Sequence, residues 1–143
     1  MIRRTLVGAL ALVALAPGAL MGQATVDSDA VRNERAELLS EQGWLQANQA
    51  RNFELAASYA RAAAQLRDMG PAKVRDLLNA GRFHFYSHQP MNAVSALQAA
   101  GEVALELGDV VTAQKAFRDG AWVAAEAGDM ITARDLLGRS TLS

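Results

Sequence analysis

Two Gly-Asp pairs twenty residues apart, Gly108-Asp109 and Gly128-Asp129, constrain this chain more than any other feature, and an alanine follows each aspartate four residues later (Ala113, Ala133). Glycine ends a helix in left-handed geometry without a Cβ penalty, and an aspartate after it accepts a hydrogen bond from the open amides of the next helix. Connections this short force neighbouring helices to run antiparallel. The pairs therefore predict hairpin turns between packed helices. The residues between the turns repeat as well: Ala93, Leu97, Ala100, Gly101 and Ala104 return as Ala113, Phe117, Gly120, Ala121 and Ala124, each offset by twenty. Leu77, Ala80, Gly81 and His84 keep part of the same frame one unit earlier. Spacings of three and four put these positions on one helical stripe, where small residues beside one large apolar residue let helix axes approach closely. A period of this kind marks a stacked array, in which each unit needs neighbours to cover its apolar face.

The rest of the chain reads in the same way. Ala, Leu, Arg, Glu and Gln dominate and no window alternates with period two, which excludes extended sheet. Punctuation predicts six helices, over Ser28–Gln49, Asn52–Met69, Pro71–Ser87, Pro90–Leu107, Asp109–Ala127 and Asp129–Gly138. Gly70-Pro71 separates the second from the third, with glycine just past one helix and proline at the first turn of the next. The expected fold class is all-α, built of antiparallel helical hairpins stacked as a short α-solenoid.

The N-terminal stretch "MIRRTLVGALALVALAPGALMGQA" has the three parts of a secretory signal: Arg3 and Arg4, an apolar run from Leu6 to Leu15, and a small-x-small site at Gly22-Gln23-Ala24. Pro17-Gly18 breaks the run short of the roughly 20 residues that a spanning helix needs. Residues 1–24 are thus expected to be a cleaved signal peptide, and 25–143 an exported helical-repeat domain, periplasmic or secreted. Loss of Arg3 and Arg4 leaves 12 basic against 15 acidic residues, a net charge near −3. A mildly acidic surface without a basic run argues against nucleic acid, whose phosphates require clustered Lys and Arg. The chain has no cysteine, which suits an oxidising compartment and excludes a disulfide staple, a thiolate metal site or a lipid-modified cysteine.

"NFELAASYARAAAQL" (Asn52 to Leu66) and "LQAAGEVALELGDVVTAQKAF" (Leu97 to Phe117) carry a family resemblance. Ala56 and Ala63, with Phe53 at the turn, resemble the second helix of a tetratricopeptide repeat, and Ala100-Gly101, Gly108-Asp109, Ala113 and Phe117 resemble that family's most recognisable stretch. The likeness covers about Leu38 to Leu137. The family repeats every 34 residues per hairpin, whereas this chain repeats every twenty per helix. The resemblance implies a protein-binding or scaffolding module that presents a groove to a peptide or partner helix, with no cofactor and no catalytic activity. Carried over by position, the family's groove-facing residues are Arg75, Leu78, Arg82 and Tyr86 on the third helix and Gln98, Glu102 and Leu105 on the fourth.

Other residue types point to less. His84 and His88 stand at i and i+4, the spacing at which two helical histidines bind zinc from one face, but "HFYSH" lacks the acidic residue of a zinc protease. In "RFHFY" successive side chains point about 100° apart, so Phe83 and Tyr86 either pack against a further helix or stand as aromatic anchors. Trp44 and Trp122 are expected in the core. Glu34, Glu37 and Glu41 lie beside Arg32 and Arg35 on a solvated face rather than forming a carboxylate pair. No phosphate loop, nucleophile elbow or Ser/His/Asp set is visible, and no metal site is expected. The last helix is short, so Ile131, Leu136 and Leu137 are expected to lack cover and to support self-association.

Overall fold

The computed structural model describes residues 21–141, and these form six helices: α1 (Met21–Asn48), α2 (Phe53–Leu66), α3 (Pro71–Tyr86), α4 (Pro90–Glu106), α5 (Val110–Glu126) and α6 (Met130–Ser140). There is no strand among the described residues. The chain divides into two units, residues 1–32 and 33–143. In the first, the described part is the opening of α1, where Arg32 pairs with Asp29 at 3.3 Å. The leader expected over residues 1–24 lies outside the described residues, except for its last four, which begin α1. No described helix is long and apolar enough to cross a membrane.

In the second unit the turns repeat as the Gly-Asp pairs require. Gly108 and Gly128 adopt φ of 80° and 87°. The amides of Asp109 and Asp129 reach back to the Ala104 and Ala124 carbonyls, both at 2.9 Å. Each aspartate then caps the next helix, Oδ1 accepting from the Thr112 or Thr132 amide at 3.1 Å. Hydrogen bonds from the Thr112 and Thr132 side chains, and then from their amides, hold both carboxyls below the usual carboxylate range. A third copy of the turn stands twenty residues earlier. His88 takes the left-handed position (φ 63°) and the Gln89 amide bonds to the His84 carbonyl at 2.9 Å.

Consecutive helices from α2 to α6 pack against one another. The helices alternate between two layers, because hairpins this short set each helix antiparallel beside the last. Contacts between every second helix show this. Arg75 meets Glu37 at 3.8 Å and Trp44 meets Phe83 edge-on at 5.9 Å, joining α1 to α3, while Phe85 and Trp122 at 5.8 Å join α3 to α5. In the other layer Arg61 on α2 donates to the Asn92 carbonyl at 3.5 Å, and Arg139 on α6 meets Glu102 on α4 at 3.3 Å. The second unit is an all-α helical-repeat solenoid.

Glycine sets the interhelical spacing. A methyl group at Gly81 would come within 2.9 Å of Leu97, at Gly101 within 2.5 Å of the Phe117 ring, and at Gly120 within 3.1 Å of Leu136. In each case the large residue lies sixteen positions after the glycine that receives it. This rule corrects the expectation for the last helix. Strict twenty-residue spacing would place Leu137 in the core; because the receiving glycine is Gly120, Leu136 goes in instead and is fully buried. Leu136 therefore cannot serve as an exposed self-association residue, whereas Ile131 (84% exposed) and Leu137 (52%) remain open.

Two alanine-rich clusters make up the core. The larger contains Leu77, Leu97, Phe117 and Leu136, and the smaller gathers Ala56, Ala60, Ala80 and Ala96 around Phe83. A buried ionic knot ties α1, the end of α2 and α3 together. Asp76, with no exposed surface, accepts from Ser40 Oγ at 2.9 Å and from Arg67 Nε at 2.8 Å. Arg67 also reaches Glu37 at 3.1 Å, and that hydrogen bond is the main cause of a lowered Glu37 carboxyl pKa. Lys73 Nζ donates to the Ala64 carbonyl at 2.8 Å, satisfying the end of α2.

Candidate partner-binding groove

Because α3 and α5 share a layer and α4 lies behind them, a cleft opens between the two. It has a volume of about 570 Å³, with Gly81 and Leu97 at its base and Leu78, Arg82, Phe85, Lys115 and Trp122 among its walls. Val111, Thr112, Ala116, Asp119 and Val123 of α5 complete its lining. Phe85 and Val123 also line a second hollow of about 440 Å³, which runs on past Tyr86, His88 and Glu126. Phe85, with Trp122 against it on the side of the first hollow, is thus a ridge between the two. Phe85, Tyr86 and Trp122 are 38%, 52% and 56% exposed, and their rings form one row, because Tyr86 also meets Phe85 at 5.8 Å and Phe53 at 5.2 Å. Three large aromatic side chains left together at a surface form an apolar platform of the kind that concentrates binding energy.

The charges beside the platform are unequal in freedom. Lys115 is held by Asp119 at 2.7 Å, one turn along α5. Arg82 is exposed and has no ion pair or hydrogen bond to any described residue.

The residues singled out from the sequence divide between surfaces. Leu78 and Arg82 line the cleft, and Tyr86 stands at the second hollow. Arg75 is engaged by Glu37 and, at 3.5 Å, by Asp76. Gln98, Glu102 and Leu105 do not join them, because α4 belongs to the other layer. Their stripe runs toward α6, where Glu102 meets Arg139. The sequence frame treated α4 as equivalent to α3, but a twenty-residue period relates helices of opposite layers and only a forty-residue step returns to the same one.

In the RFHFY segment Phe83 is buried in the core and Tyr86 is exposed. Trp44 and Trp122, expected in the core, are both exposed. Trp122 follows Ala121 on the repeat stripe, about 100° around the helix, and that offset was the signal that placed it off the buried face.

The histidines do not form a one-face pair. α3 ends at Tyr86, and His88 lies beyond it in the left-handed turn. His84 is 7% exposed, its Nε2 accepting from Arg61 Nε at 3.4 Å and its Nδ1 lying 2.8 Å from Gln89 Oε1. A guanidinium only donates, so Nδ1 carries the imidazole proton and donates it to Gln89. Burial lowers the pKa of His84; the Gln89 hydrogen bond opposes that shift and the Arg61 charge adds to it. No group of three or more metal-ligating side chains occurs among the described residues.

Comparison with family models, with curated proteins and with solved structures found no match to this chain. The tetratricopeptide likeness therefore stands on the motifs themselves.

Proposed function

We propose that this is an exported, non-enzymatic protein-interaction module that binds a peptide or a partner's helix in the cleft between α3 and α5. The observation that carries the reading is the exposed aromatic row Tyr86–Phe85–Trp122 beside a hollow with Leu78, Gly81 and Leu97 in its lining. A monomeric solenoid gains nothing in stability from leaving these rings in water, whereas a partner would bury them. The tetratricopeptide motifs support the same reading, and the N-terminal signal pattern supports export. The test is a photocrosslinking amino acid placed in turn at Val111, on the cleft, and at Leu105, on α4, in the producing cells. Discrete adducts from Val111 but not from Leu105 are expected; equal labelling from both positions refutes the cleft as the site.

Ile131 and Leu137 favour a second reading, self-association through α6. Sedimentation of wild type against Ile131→Glu/Leu137→Glu over a concentration series tests it. A monomer at all concentrations in the wild type removes it.

A further inference from the structure

Building on the cleft reading above, we infer that the partner is a segment with two large apolar side chains flanking the Phe85–Trp122 ridge and an acidic residue on one side of that pair, over Arg82. The ridge dictates the first part. Phe85 and Val123 belong to both hollows, so one bound segment that crosses the ridge places one side chain in each. The hollows, about 570 and 440 Å³, each exceed the volume of any single side chain, and apolar groups, including Leu78 and Val123, make up most of their walls. Burial of two such side chains supplies the affinity.

Charge dictates the second part. Arg82 is the unengaged cation of the first hollow, since the ammonium of Lys115 is already taken by Asp119. A planar guanidinium with all its donors open accepts a carboxylate through two parallel hydrogen bonds. The second hollow carries Glu126 instead, which repels an acid there and gives the bound segment a polarity. The chain as a whole is slightly acidic, so this local positive charge is set against the general background.

The test is selection from a phage-displayed random-peptide library on the full-length protein, with Arg82→Glu, Trp122→Ala and Leu105→Ala selected in parallel. All three positions are exposed, and far-UV circular dichroism checks that each variant keeps its helices. Wild type and Leu105→Ala are expected to enrich one class of peptide, with two large apolar residues and an acid on one side of them. Arg82→Glu is expected to replace that acid by Lys or Arg, and Trp122→Ala to weaken binding of the wild-type peptides by about tenfold or more. Peptides selected without an acid, or selected identically by Arg82→Glu, overturn this inference but leave the cleft reading intact if Trp122→Ala still weakens them. Absence of enrichment on wild type, or binding indifferent to Trp122→Ala, overturns both.

Discussion

Gly101→Ala tests whether helix spacing in this array is set by glycine. A methyl group at residue 101 would lie 2.5 Å from Phe117 Cε1 and 2.8 Å from Cδ1 and Cζ. Comfortable carbon contacts begin near ~3.5 Å, so the ring or the helix must move by about 1 Å. The ring has little room to do so, being fully buried with the Arg139 guanidinium 4.4 Å from its centroid. Overpacking of this kind costs about 1–3 kcal/mol. Alanine simultaneously favours the helix by up to about 1 kcal/mol over glycine, which leaves a net destabilisation of about 0–2 kcal/mol. Gly138→Ala isolates the second effect, since nothing lies within 4 Å of a methyl group there. It is expected to stabilise the protein by up to about 1 kcal/mol. The two variants should therefore differ by about 1–3 kcal/mol in urea unfolding followed by helical circular dichroism. Gly120→Ala should fall between them, because the one tight contact of its methyl group would be with the flexible end of Leu136, at 3.1 Å, and Leu97 Cβ at 3.6 Å is ordinary van der Waals contact. Phe117→Leu in the Gly101→Ala background should recover part of the loss, as a coupling of about 0.5 kcal/mol or more in a double-mutant cycle. Equal shifts for Gly101→Ala and Gly138→Ala would refute the close approach, and with it the account of why this stripe is small.

Three further outcomes follow from single sites. His88→Gly should stabilise the fold by about 0.5–1 kcal/mol in the same unfolding assay, because His88 holds the left-handed position that glycine holds in the next two turns. Asp76→Ala should cost about 3–5 kcal/mol, since it strips the buried Arg67 of its closest partner, whereas Glu37→Gln, at an exposed carboxylate, should cost less than about 1 kcal/mol. Burial lowers the folded-state pKa of His84, so the unfolded chain binds the extra proton first as pH falls. The stability this contributes is present above the ordinary histidine value and is lost as pH drops through the folded one; urea midpoints between about pH 7.5 and about pH 5 should fall more steeply in wild type than in His84→Gln.

Much of the solenoid was legible in local chemistry. Gly108-Asp109 and Gly128-Asp129 mark turns because the left-handed residue and the capping side chain act within a few residues of themselves, and Gly70-Pro71 marks one because proline suits the first turn of a helix, Gly70 itself being extended (φ 171°). The break at His88-Gln89 follows from Pro90, but its left-handed geometry went unforeseen because histidine carries no such signal; its place in the twenty-residue series, ahead of Gly108 and Gly128, was the clue. The cleft was half legible. Leu78, Arg82 and Tyr86 follow from position on α3, but Trp122 looks like core from its size alone, and nothing in the order of residues reveals that α5 leaves it beside Phe85.

What this sequence determined by itself is the number of helices, where they end, and which stripe of each is small enough to pack, since all three depend on neighbours within one or two turns. What only the tertiary structure decided is which helices share a layer. That choice sends Gln98, Glu102 and Leu105 away from Arg82, puts Leu136 rather than Leu137 beneath the chain, and leaves three aromatic rings side by side at the surface. The physical reason is that layer membership is a property of the stack: a helix can be apolar on a given stripe whichever neighbour covers it, and only the assembled array settles which neighbour does.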